Sequence, residues 1–112
     1  MHVQIITFRL VDMDEAGYRT ACAEMAPAFA ALPGLLSKIW LADPDANTYG
    51  GVYLFRDREA VESYAASELF ASVVAFPHFA DIASRDFAVY DDLTRSTRPE
   101  LEATAGRAPA HA

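Results

Sequence analysis

The stretch Gly34 to Phe55, GLLSKIWLADPDANTYGGVYLF, reads as one complete β-hairpin and carries most of the unusual polar and aromatic chemistry of the chain. Two strand-like segments, Leu35 to Ala42 and Tyr49 to Arg56, flank the turn-rich Asp43-Pro44-Asp45-Ala46-Asn47-Thr48. If Ala42 opposes Tyr49, then Trp40 opposes Gly51 and Lys38 opposes Tyr53 on one side of the ribbon.

Working outward, residues 2–10 form a β-branched and aromatic strand with large apolar groups on both faces: Val3 and Ile5 on one, Ile6, Phe8 and Leu10 on the other. Asp12 with Glu15 reads as a capping box that opens a helix from about Met13 to Leu32. Tyr18, Cys22, Met25, Ala26, Phe29 and Leu32 then share one helical stripe, and Pro27 predicts a kink near 22–26. Beyond the hairpin, Asp57 caps a helix beginning Arg58-Glu59-Ala60, a further helical piece runs from Glu68 to Phe76, and a last strand spans about Ile82 to Tyr90.

The order β-α-β-β-α-β is that of a ferredoxin-like α+β fold, with both helical layers on one side of an antiparallel sheet and the first and third strands central. Lys38, Arg85 and Asp86 fall on the second and fourth strands, as edge positions would require. The domain spans 1–95. Residues 96–112, with Pro99, Pro109 and much alanine, predict a disordered tail.

Helices on one side leave the other sheet face bare, in a chain of 112 residues that is 53% hydrophobic and 12% aromatic. Apolar burial is worth roughly 25 cal/mol per Å², so several wet Val, Ile and Phe side chains forfeit several kcal/mol. A homodimer closing two sheets face to face about a two-fold axis is the expected remedy.

The net charge of −7 argues against nucleic acid, whose affinity rests on Lys and Arg. Apolar runs are strand-sized and broken by charge, so no membrane span is expected. The lone Cys22 and the absence of a basic leader before the first strand point to a reducing cytoplasm. Metal-ligand spacing, a phosphate-cradling glycine loop and a nucleophile elbow are all missing from the sequence.

Candidate chemistry gathers on few residues. Gly51 either makes room for Trp40 in the core or floors a ligand slot walled by Trp40, Tyr49 and Tyr53. Lys38, the sole lysine, is either an edge-strand charge or an ammonium that holds an anionic oxygen. Arg85 and Asp86 face opposite ways, and Arg85 either pairs with an acid at the dimer seam or stabilises a phenolate or enolate. His78, in Phe76-Pro77-His78-Phe79, is either a structural loop histidine or a proton acceptor. The helical stripe of Tyr18, Cys22, Met25 and Phe29 is core that could also roof a pocket.

Leu32-Pro33 with the hairpin, Ala66-Ser67-Glu68-Leu69-Phe70 and Ser84-Arg85-Asp86-Phe87-Ala88-Val89 together resemble the YdhR-like monooxygenase family, within the dimeric α+β barrel (antibiotic-biosynthesis-monooxygenase-like) superfamily. The likeness covers about residues 1–98. It implies a homodimeric enzyme that oxidises a small aromatic or polyketide-like phenol or enol with O2, without cofactor or metal. By residue type, Trp40, Tyr53, Arg85 and His78 are then the catalytic candidates, and Lys38, Tyr49, Gly51 and Phe29 the substrate-binding ones. The same fold leaves open haem degradation through His78, an acid/base cyclase or isomerase, and a non-enzymatic carrier for an apolar metabolite.

Overall fold

The computed structural model describes residues 1–101 of the chain. Its elements run β1 (His2–Leu10), α1 (Glu15–Ala30), β2 (Leu35–Asp43), β3 (Thr48–Phe55), α2 (Arg58–Ala65), α3 (Glu68–Ala75), β4 (Phe79–Ala88) and α4 (Asp91–Thr97). The four strands form one antiparallel sheet in the order β2-β3-β1-β4, the ferredoxin-like arrangement with β1 and β3 central.

The hairpin register is the one the sequence implies: Ala42 opposes Tyr49, Trp40 opposes Gly51 and Lys38 opposes Tyr53. Because paired antiparallel residues share a face, each register fixes a whole side of the sheet. On the helix side lie Ile6, Phe8, Tyr49, Tyr53 and Phe55, all buried, packed against Tyr18 and Phe29 of α1, Val61 and Tyr64 of α2 and Val73 of α3. The other side carries Val3, Ile5, Ile39, Val52, Leu54 and Phe87, facing away from α1, α2 and α3. Ile39 is 56% exposed there and Phe87 40%.

Two local expectations need correction. Asp14, not Asp12, caps α1: its carboxylate accepts from Gly17 N at 2.8 Å, while Asp12 adopts φ 56° in the turn before it. The last strand begins at Phe79, earlier than the apolar pattern indicated, because Phe79 pairs with Leu10 and stacks on Phe8. Residues 91–97 form α4, tied back by the Met1 amine, which donates to Asp91 Oδ1 at 2.7 Å, and Leu101 is buried. The rest of the expected tail, 102–112, lies outside the described residues.

Asp57 caps α2 as expected, accepting from Ala60 N at 2.8 Å, and Ser67 caps α3, accepting from Phe70 N at 3.1 Å. Pro27 stands inside α1. Gly50, at φ 153°, is required by packing, since a Cβ there would overlap the Ile6 carbonyl of the neighbouring strand.

Candidate functional site

The edge strand β2 does not close tightly on α1, and the gap is lined by the aromatic residues singled out above. Lys38 enters it from β2 on the helix side. Its Nζ lies 3.3 Å from the centroid of Phe29, 3.4 Å from that of Trp40 and 4.6 Å from that of Tyr53. Phe29 meets Trp40 edge-on, with centroids 5.7 Å apart at 88°, so the two rings form a corner around the amine. Tyr53 is held from below by Tyr64, their rings stacked at 5.4 Å.

Gly51 is the reason the lysine fits. A Cβ at Gly51 would stand 3.1 Å from Lys38 Cε and 3.2 Å from Tyr53 Cε1. The space that glycine leaves is bordered by the lysine stem and the edge of Tyr53.

Trp40 divides two open cavities. One, about 380 Å³, is walled by Tyr18, Cys22, Ala26 and Tyr49; the other, about 390 Å³, by Ala26, Phe29, Leu36 and Lys38. A crevice of about 20 Å³ beneath reaches Cys22, Met25, Lys38 and Tyr53. The walls are mostly apolar, the lining that a flat organic molecule with few polar atoms would match.

Burial sets the electrostatics of this gap. It pushes the Lys38 ammonium down from 10.5 to about 7, the Cys22 thiol slightly countering it. The ring faces oppose that fall, since each cation–π contact favours the ammonium by about 0.5–2 kcal/mol, and more when desolvated. Among the described residues no carboxylate or hydrogen-bond acceptor reaches Nζ. Burial also raises the phenols of Tyr18, Tyr53 and Tyr64 and the Cys22 thiol, so all four stay protonated at neutral pH.

The candidates thus divide by location. Lys38, Trp40, Tyr53, Phe29 and Gly51 come together, and Tyr49 lines the adjoining cavity. Arg85 does not join them: it pairs with Ile5 on the opposite sheet face, its guanidinium 4.8 Å from the Phe87 ring. His78 sits at the end of the sheet, where Nδ1 lies 2.8 Å from the Val11 carbonyl oxygen and its own carbonyl accepts from Val11 N. None of the cavities above is lined by it. Tyr18 in the core and Cys22 packed against it also wall the gap, as the helical stripe that could roof a pocket allowed. Their helical spacing from Phe29 was the available signal.

A four-stranded antiparallel sheet, helices on one face and an apolar slot between them define a ferredoxin-like α+β protein with room for a small organic ligand. The chain belongs to the family described as "Putative mono-oxygenase ydhR", which it matches over residues 4–100. Among curated proteins, none matches it in sequence. Its fold is shared with a protein of unknown function from Nitrosomonas europaea, at TM-score 0.67 and 15% identity, covering 80% of this chain and 88% of that one. SnoaB, a cofactor-independent oxygenase from Streptomyces nogalater, superimposes at TM-score 0.62 with 20% identity, over 79% of this chain and 92% of that one. A mutant of MhuD with two manganese protoporphyrin IX molecules bound per active site superimposes at TM-score 0.65 with 19% identity, over 80% and 95% of the two chains.

Proposed function

We propose that this protein is a homodimeric oxygenase that binds a small aromatic or polyketide-like phenol or enol beside Trp40 and converts it with O2 without metal or flavin. Family membership supports an oxygenase. The observation that carries the finer reading is the Lys38 amine, without an acidic partner, among three aromatic rings at the mouth of an apolar cavity.

Triplet O2 reacts slowly with closed-shell organic molecules unless one electron can leave first. A phenolate or enolate gives up that electron readily, so the protein's task is to make and hold the anion away from water. Lys38 as free amine takes the substrate proton. The resulting ammonium then stands beside the anionic oxygen it created. Trp40 and Phe29 flank the substrate ring, and Tyr53 and Tyr49, kept protonated, are available as donors. For an anthrone-type substrate the balance is one CH2 and one O2 giving one C=O and one water.

The bare sheet face supports the dimer. Val3, Ile5, Ile39, Val52, Leu54 and Phe87 form an apolar surface of the kind a second copy covers, and a stable interface buries about 1,200–2,000 Å² in total. Arg85 lies on this face and belongs to the seam rather than to the slot of its own chain.

Oxygen consumption with anthrone or a hydroxyquinol tests the reading. Loss of a positioned base lowers turnover by about 10²–10⁴-fold, so Lys38→Met is expected to fall in that range with the fold intact by circular dichroism. Absence of uptake across a broad panel of phenols and enols by the wild-type protein would overturn it.

A further inference from the structure

We propose that Lys38 is a nucleophile that captures 1,3-dicarbonyl compounds covalently, as an enaminone, in the slot between α1 and β2. This goes beyond oxygen chemistry and rests on the slot's geometry together with the free Lys38 amine of the proposed function.

Three features carry it. First, Nζ is buried with no acidic partner among the described residues, which favours a neutral amine against the pull of the Phe29, Trp40 and Tyr53 ring faces toward the ammonium. Second, the side chain borders the cavity of about 390 Å³, which has room for a flat carbonyl compound beside Lys38. Third, Gly51 leaves room beside the Lys38 stem, since a Cβ there would press on Cε at 3.1 Å.

The step balances without an oxidant. The amine nitrogen attacks one carbonyl carbon and gives a carbinolamine. Hydroxide leaves with a proton as water, and the remaining C–H proton is lost to give the conjugated enaminone. Diketone plus amine therefore yields adduct plus one water. Conjugation makes the product persist, whereas a simple ketone would form only a transient imine. Lys38 is the only lysine, so the Met1 amine is the sole competing aliphatic amine in the chain.

The test incubates the full chain with 1-phenylbutane-1,3-dione under nitrogen from pH 6 to 9 and follows the near-ultraviolet enaminone band. Peptide mass mapping then locates the mass of one diketone less one water. The expected result is one adduct per chain on Lys38, forming at pH 7 about 10²–10³-fold faster than on an exposed lysine, of which only about one in 3,000 is neutral at that pH. Lys38→Met and Lys38→Arg abolish the band, and Trp40→Ala, which wets the amine, slows its appearance at pH 7. An adduct confined to the Met1 amine, a rate on Lys38 no faster than that of free lysine, or no adduct on folded protein would each overturn the proposal. Mapping on the wild-type chain stands even if a variant fails to fold. Both readings use the free Lys38 amine, and excluding oxygen separates them: no adduct together with oxygen uptake lost in Lys38→Met overturns this proposal alone, and an adduct with a silent oxygen electrode overturns the oxygenase alone.

Discussion

Replacing Lys38 by methionine should change not only the stability of this protein but the way stability depends on pH. Burial holds the folded amine near pKa 7, against 10.5 when unfolded. Between those values the unfolded chain binds more protons than the folded one, so stability rises with pH across the window from about 7 to 10.5. Below it the full cost of burying the lysine is present, and above it that cost is gone. Integrating the linkage relation from pH 7 to pH 9 gives a gain of about 2 kcal/mol, reduced to about 1 kcal/mol if the aromatic rings restore part of the amine's basicity. The Lys38→Met variant lacks this term, so the difference in unfolding free energy between the two proteins should shrink by about 1–2 kcal/mol over that interval. Urea titrations at equal chain concentration, read by circular dichroism at pH 7, 8 and 9, measure it. The comparison also cancels the opposite trend from Tyr18, Tyr53 and Tyr64, whose raised values make stability fall as pH rises through and beyond their ordinary range. A difference that stays flat, or widens with pH, would mean that the rings hold Lys38 as a fully basic ammonium and would refute the reasoning.

Further outcomes follow from the packing. Gly50→Ala places a methyl on the Ile6 carbonyl at φ 153°, and a loss of about 3 kcal/mol or more is expected in thermal unfolding. Gly51→Ala meets only the flexible Lys38 stem and the edge of Tyr53, so it should cost about 1–2 kcal/mol while displacing the amine and lowering oxygen uptake. A loss as large as that of Gly50→Ala would show that the stem cannot move. Phe87→Asp, on the uncovered sheet face, should shift the protein from dimer to monomer in sedimentation equilibrium; an unchanged mass would place the seam elsewhere.

The sequence was enough for the hairpin, its register, the strand order and the family. Alternation with period two, a loop of turn residues and the single connection topology that β-α-β-β-α-β permits are local or combinatorial facts, readable without coordinates. Its composition also made plain that one sheet face would lack a cover, since two helical layers can lie on only one side. The sequence could not place the caps and ends that depend on distant partners. Asp14 rather than Asp12 caps α1 because of where the chain leaves β1, and α4 begins where the Met1 amine, ninety positions away, meets Asp91.

Tertiary structure alone decided the site. Every candidate side chain was visible by type, yet types do not converge by spacing: Phe29 reaches Lys38 only because α1 lies across the sheet onto its edge strand, and Arg85 misses it because strand alternation sends it to the other face. The basicity of Lys38 likewise belongs to no residue in the sequence. It arises from the water that three rings, brought from α1, β2 and β3, exclude around one nitrogen.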